Sequence, residues 1–158
     1  MKILFALLFL FTVSIVSGQN RYIGDWNDYW GNSFEIKPDS TFKFSWHFDL
    51  LVQWANGTWT IRNDTIYFKF VPVYDTIKYS SSFALELSDD ETPSVSVPTN
   101  IAHLSSGSQD TARMPKKLFY QDEKLFIINT NGKLVKKKNI GWYGKWHLWY
   151  IPRSKFYK

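Results

Sequence analysis

The sequence predicts an all-β fold, an antiparallel up-and-down β-barrel of about eight strands with a long polar loop in its middle. Apolar side chains alternate with polar ones through Phe42-Phe44-Trp46, Trp59-Ile61 and Ile66-Phe68-Phe70, the period of two that lays one face of a strand on a core. Asn56-Gly57, Asn63-Asp64 and Asn131-Gly132 punctuate these runs with turn residues. Aromatic residues make up 19% of the 158 residues, eight of them Trp, and aromatics favour strands. Closure follows because such apolar strands would otherwise expose sticky edges.

Lys2, the apolar run Ile3–Val16 and the small exit Ser17-Gly18 form an export signal over residues 1–18, cleaved near Gly18. The apolar run is about 14 residues, shorter than the ~20 that a spanning helix needs. The expected location is therefore secreted or periplasmic, with residues 19–158 as one domain. Gly24-Asp25-Trp26 opens the first strand, and Phe34 and Ile36 share one face of the next. Pro38-Asp39-Ser40 turns into Thr41–His47. His47–Trp54 continues that strand or bends across, and Asn56-Gly57 signals a two-residue hairpin. Gly57–Ile61 and Thr65–Val73 pair around Asn63-Asp64, with a possible extension to Tyr79 past Pro72. Residues 80–116 are polar and turn-rich, and only Phe83–Leu87 has strand patterning there; so long a connection is expected to be a functional or partly disordered loop. Strands resume at Lys117–Tyr120, Lys124–Asn129 and Lys133–Lys137. Ile140–Ile151 is expected as one last strand, with Trp142, Gly144, Trp146, Leu148 and Tyr150 on one face and Tyr143, Lys145, His147 and Trp149 on the other.

The opening Gly24-Asp25-Trp26, Phe34-Glu35-Ile36 with Pro38–Phe42, Gly57–Ile61 with Asp64-Thr65-Ile66, and Lys124–Ile128 with Asn131-Gly132-Lys133 resemble the small secreted lipocalin-like domains of Bacteroidetes. That resemblance spans most of 22–70 and 118–136 and omits the middle loop. It implies a barrel with an apolar pocket. The basic residue that lipocalins pack across the first-strand Trp is matched most nearly by Arg153.

Composition removes several chemistries. The chain has no Cys, which excludes disulfides, thiolate nucleophiles and zinc–thiolate sites. The three histidines, His47, His103 and His147, form no metal-binding motif with the carboxylates. No nucleophile elbow, phosphate-cradling loop or dinucleotide fingerprint is present. Asp25 and Asp28 point to opposite faces of an alternating strand, unlike a glycosidase pair, and Asp89-Asp90-Glu91 lacks calcium-loop spacing. No catalytic residue, metal ligand or cofactor is therefore assigned.

The formal charge is +5, or +4 once Lys2 leaves with the signal, and no Asp or Glu follows Glu123. This basic C-terminal segment suits a solvated edge or a membrane surface; export argues against nucleic acid. The reading that follows is a secreted non-enzymatic barrel, a monomer, binding a small apolar or amphipathic ligand. Phe44, Trp46, Trp54, Phe68 and Trp149 are its candidate contacts. The alternative is a polysaccharide- or envelope-binding module that stacks glycans on Trp142, Tyr143, Trp146, Trp149 and Tyr150. A hydrolase of unknown type is the third reading.

Overall fold

The computed structural model describes residues 21–97, 107–141 and 144–156. The expected export signal at residues 1–18, His103 and the side chains of Trp142, Tyr143 and Trp146 lie outside what is described. Alternating burial builds five consecutive antiparallel strands: β1 (Gly24–Asn27), β2 (Asn32–Ile36), β3 (Thr41–Phe48), β4 (Leu51–Arg62) and β5 (Thr65–Phe70). The chain then leaves this sheet for β6 (Tyr74–Lys78), β7 (Phe83–Leu87), β8 (Val95–Ser96) and β9 (Gly107–Gln109). It returns as β10 (Lys117–Gln121), beside β5, and β11 (Lys124–Ile127). A separate hairpin follows, β12 (Lys138–Gly141) with β13 (Gly144–His147). Last come β14 (Ile151–Pro152), which pairs with β1, and one helical turn, α1 (Arg153–Phe156).

Eight of these strands, in the order β11-β10-β5-β4-β3-β2-β1-β14, make an antiparallel, nearly closed barrel. One bridge spans the seam. Leu125 N–H donates to Tyr150 O at 3.0 Å and Tyr150 N–H donates to Leu125 O at 2.9 Å. The barrel architecture expected from the alternation is present, and its interior is filled. Phe34 sits at the centre, wholly buried, with ring centroids of Phe68 at 4.5 Å, Phe44 at 5.0 Å, Tyr150 at 5.3 Å and Phe42 at 6.0 Å. Trp26, Trp59, Ile66, Leu118 and Leu125 surround this cluster. Rings at these spacings leave side-chain packing rather than a lumen.

Several expected boundaries move, each for a physical reason. Asn56-Gly57 is not a turn but the middle of β4. Gly57 lies opposite Phe42, and a Cβ there would stand 2.8 Å from the Phe42 ring and 2.1 Å from Lys69 O. Glycine is needed at that position for close approach of side chain and backbone, and the β3–β4 turn falls at Asp49-Leu50 instead, with Asp49 at φ 54°. β5 does not run through Pro72 to Tyr79; the chain breaks at 71–73 and β6 joins a different sheet. Residues 80–116 hold β8 and β9 besides the expected strand at Phe83–Leu87. Lys133–Lys137 makes only the bridge Ile128–Leu134 rather than a strand. Ile140–Ile151 is not one strand: it is cut into the end of β12, β13, the seam residue Tyr150 and the start of β14.

Candidate functional site

The five residues singled out from the sequence do not share one cavity. Phe44 and Phe68 belong to the packed interior, at 0% and 8% exposure. Trp46 caps the interior at the end nearest the β3–β4 turn. Its Nε1 donates to Trp30 O at 3.1 Å, the Phe48 ring stacks on it at 6.0 Å, and the Arg113 guanidinium lies 3.9 Å from its centre. Trp54 alternates with inward-facing Ala55 and so faces out of the barrel, yet it is buried beside β9 and Asp89, with Nε1 donating to Asp89 O at 2.9 Å. Trp149 is half-buried and stacks on His147 at 4.5 Å, with Phe126 at 5.6 Å.

At the Trp46 end the interior turns polar. Asp28 is buried, and its carboxylate accepts from Trp30 N–H (2.8 Å), Asn32 N–H (2.9 Å) and Asn32 Nδ2 (2.7 Å). Gln53 Nε2 donates to Asp110 Oδ2 at 2.7 Å. These bonds fix both amides, and leave Asn32 Oδ1 and Gln53 Oε1 buried without partners among the described residues. Burial pushes the Asp28 carboxyl above its ordinary value of 3.8, against the pull of its bonds from Asn32 and Trp30. A carboxyl raised by folding stabilises in its protonated form, fully below the ordinary carboxylate range, and that contribution is lost as pH rises through the raised value. The decline in wild-type stability above about pH 4 should therefore be shallower in Asp28→Asn, where the Asn32 amide can flip to offer its free Oδ1. Urea midpoints across that range check this. Parallel curves for the two proteins would mean that Asp28 titrates normally.

The opposite end of the barrel offers a different surface. A cleft of about 540 Å³ lies between the start of β1, the β10–β11 turn and α1. Trp26, Ile23, Tyr120 and Pro152 form its apolar wall, and Arg21, Arg153 and Lys155 line its rim together with the carboxylates of Asp25 and Glu123. Its volume lies within the range of small-molecule sites. Local chemistry builds each part. Gly24 holds φ +130°, a conformation that L side chains rarely adopt, and so keeps the cleft floor bare. Trp26 Nε1 donates to Tyr22 O at 2.9 Å, and Tyr120 stands edge-on to Tyr22 at 5.0 Å and to Trp26 at 6.1 Å. Arg21 lies over the Tyr22 and Tyr120 rings, at 4.8 and 5.3 Å, and pairs with Asp64, which also accepts from Tyr22 Oη at 2.7 Å. Lys155 pairs with Glu123. Arg153 makes no ion pair or hydrogen bond among the described residues.

Arg153 is the residue expected to lie near the first-strand Trp, and it lines the cleft with Trp26. Ile23, Tyr120 and Pro152 were not singled out from the sequence, because alternation marks core positions and carries no sign of which strand ends meet. Among the described residues no three His, Asp or Glu side chains converge on a metal position. Comparison with protein-family models, with curated proteins and with solved structures gives no match for this chain.

Proposed function

We propose that this protein is an exported, non-enzymatic barrel that binds a small amphipathic ligand in the cleft between β1, the β10–β11 turn and α1, with an anionic group against Arg153. Kinship with the secreted lipocalin-like domains is part of the same proposal. The observation that carries it is an unpaired guanidinium beside an aromatic wall, in a cleft of about 540 Å³. Apolar burial on Trp26 and Tyr120 supplies affinity, and the guanidinium orients the ligand through charge-assisted hydrogen bonds. The packed interior moves the ligand from the lumen to the end of the barrel. Isothermal titration with dodecanoate, dodecyl phosphocholine and dodecyl maltoside tests it. Binding of dodecanoate is expected, weakened about tenfold or more by Arg153→Ala, since a hydrogen bond to a charged group is worth about 1.5–3 kcal/mol. Failure of all three amphiphiles to bind overturns the reading.

One observation favours a second reading, a glycan-binding module. His147 and Trp149 stack with planes 10° apart, and Tyr29 stands edge-on to His147 at 4.5 Å. His147 Nδ1 and Trp149 O, at 2.8 Å, hold this pair in place. Retardation in glycan-containing gels that is lost in Trp149→Ala would support it; unchanged mobility in every glycan would remove it.

A further inference from the structure

The small sheet β7-β6-β8 exposes an apolar face. β7 presents Phe83, Leu85 and Leu87 at 69%, 67% and 56% exposure. The register sets Tyr74 opposite Leu87, Thr76 opposite Leu85 and Lys78 opposite Phe83, with Val95 beside Thr76. Tyr74 and Val95, 44% and 74% exposed, therefore complete one apolar face. Asp75 and Glu86 point to the other side. Antiparallel strands ordinarily turn polar residues to water; the β6–β7 pair shows solvent an apolar side, with Glu86 exposed on the other. It is not free to roll over. Gln109 Nε2 donates to Val73 O (2.6 Å) and Ser88 O (2.7 Å), and its Oε1 accepts from Val73 N–H (2.8 Å). Those bonds clamp the residue before β6 and the residue after β7 to β9, which pairs with the barrel at β4.

We propose that this face is the interface of a two-fold dimer, in which a second copy of the chain packs its β6–β8 sheet face to face on the first. Lys78, at one corner, is the only charge on the face among the described residues, so the surface selects a neutral apolar occupant and complements itself. The exposed apolar side chains leave on the order of 600 Å² per protomer, close to the roughly 800 Å² per partner of a standard interface. Patches above a few hundred Å² mark interaction sites in soluble proteins. Two such sheets stacked about 10 Å apart form a sandwich with an interdigitated core, and a two-fold contact closes on itself, so the assembly stops at two. The dimer replaces the monomer expected from the sequence, and it is independent of the cleft.

Light scattering on the purified full chain tests the proposal. Wild type should run at twice the protomer mass. Leu85→Glu and Val95→Glu should each run as monomers, because each substitution places two buried charges in the interface, while Glu86→Lys on the other side keeps the dimer. Unchanged near-ultraviolet dichroism shows that the variants are folded. A wild-type monomer at the highest soluble concentration overturns the proposal, whether or not it sediments with phosphatidylcholine vesicles. A dimer lost in Leu85→Glu and kept in Val95→Glu also overturns it, because the copies would then pair through the β7 edge, which leaves the two β8 strands about 24 Å apart.

Discussion

Replacing Phe34 by alanine is expected to destabilise the protein by about 4 kcal/mol, the middle of the range for a buried aromatic. Four rings lie within 6.0 Å of its centroid, drawn from β3, β5 and the seam. Removing it costs the transfer energy of the ring, and opens a cavity that these neighbours, fixed on β3, on β5 and at the seam, cannot all move to fill. Stability of a domain this size is about 5–15 kcal/mol, so the variant should retain a folded baseline at low urea with a much lower midpoint. A loss near 1 kcal/mol would mean that the interior is loosely filled.

The second large effect is at the seam. Leu125→Pro should cost clearly more than Leu125→Ala, by about 1–3 kcal/mol, the penalty for leaving the Tyr150 carbonyl without its donor. Both variants lose a fully buried side chain, expected at about 2–5 kcal/mol. Only proline removes the Leu125 N–H that donates to Tyr150 O at 3.0 Å. The difference between the two therefore isolates the single bridge that joins β11 to the C-terminal end of the barrel. Urea unfolding gives the free energies, and amide exchange at Tyr150 should accelerate in the proline variant. Equal stabilities would show that closure contributes nothing and that the barrel behaves as an open sheet.

Strand faces were readable because burial repeats at every second residue: Phe42, Phe44 and Trp46 all point inward as the alternation requires. Turns were less legible, because the same dipeptide serves two purposes. Asn56-Gly57 has the composition of a hairpin, but the glycine exists to let Phe42 lie over β4, a reason visible only once β3 is alongside. Trp54 misled in a similar way. It sits on the outer face and is buried by a segment more than thirty positions later in the chain, at Asp89. The cleft was least legible of all. Ile23, Tyr120 and Pro152 come together because β1 pairs with β14, while β10 follows a long excursion. Arg153 alone had a signal, through its expected place near Trp26.

A packed barrel with its ligand site at one end makes a spatially resolved demand. Amide resonances followed by NMR during a dodecanoate titration should shift at Ile23, Gly24, Tyr120 and Ser154, and those of Phe34, Phe44 and Phe68 should stay still. Shifts centred on Phe34, Phe44 and Phe68 would contradict it, since the ligand would then occupy the interior that these rings fill.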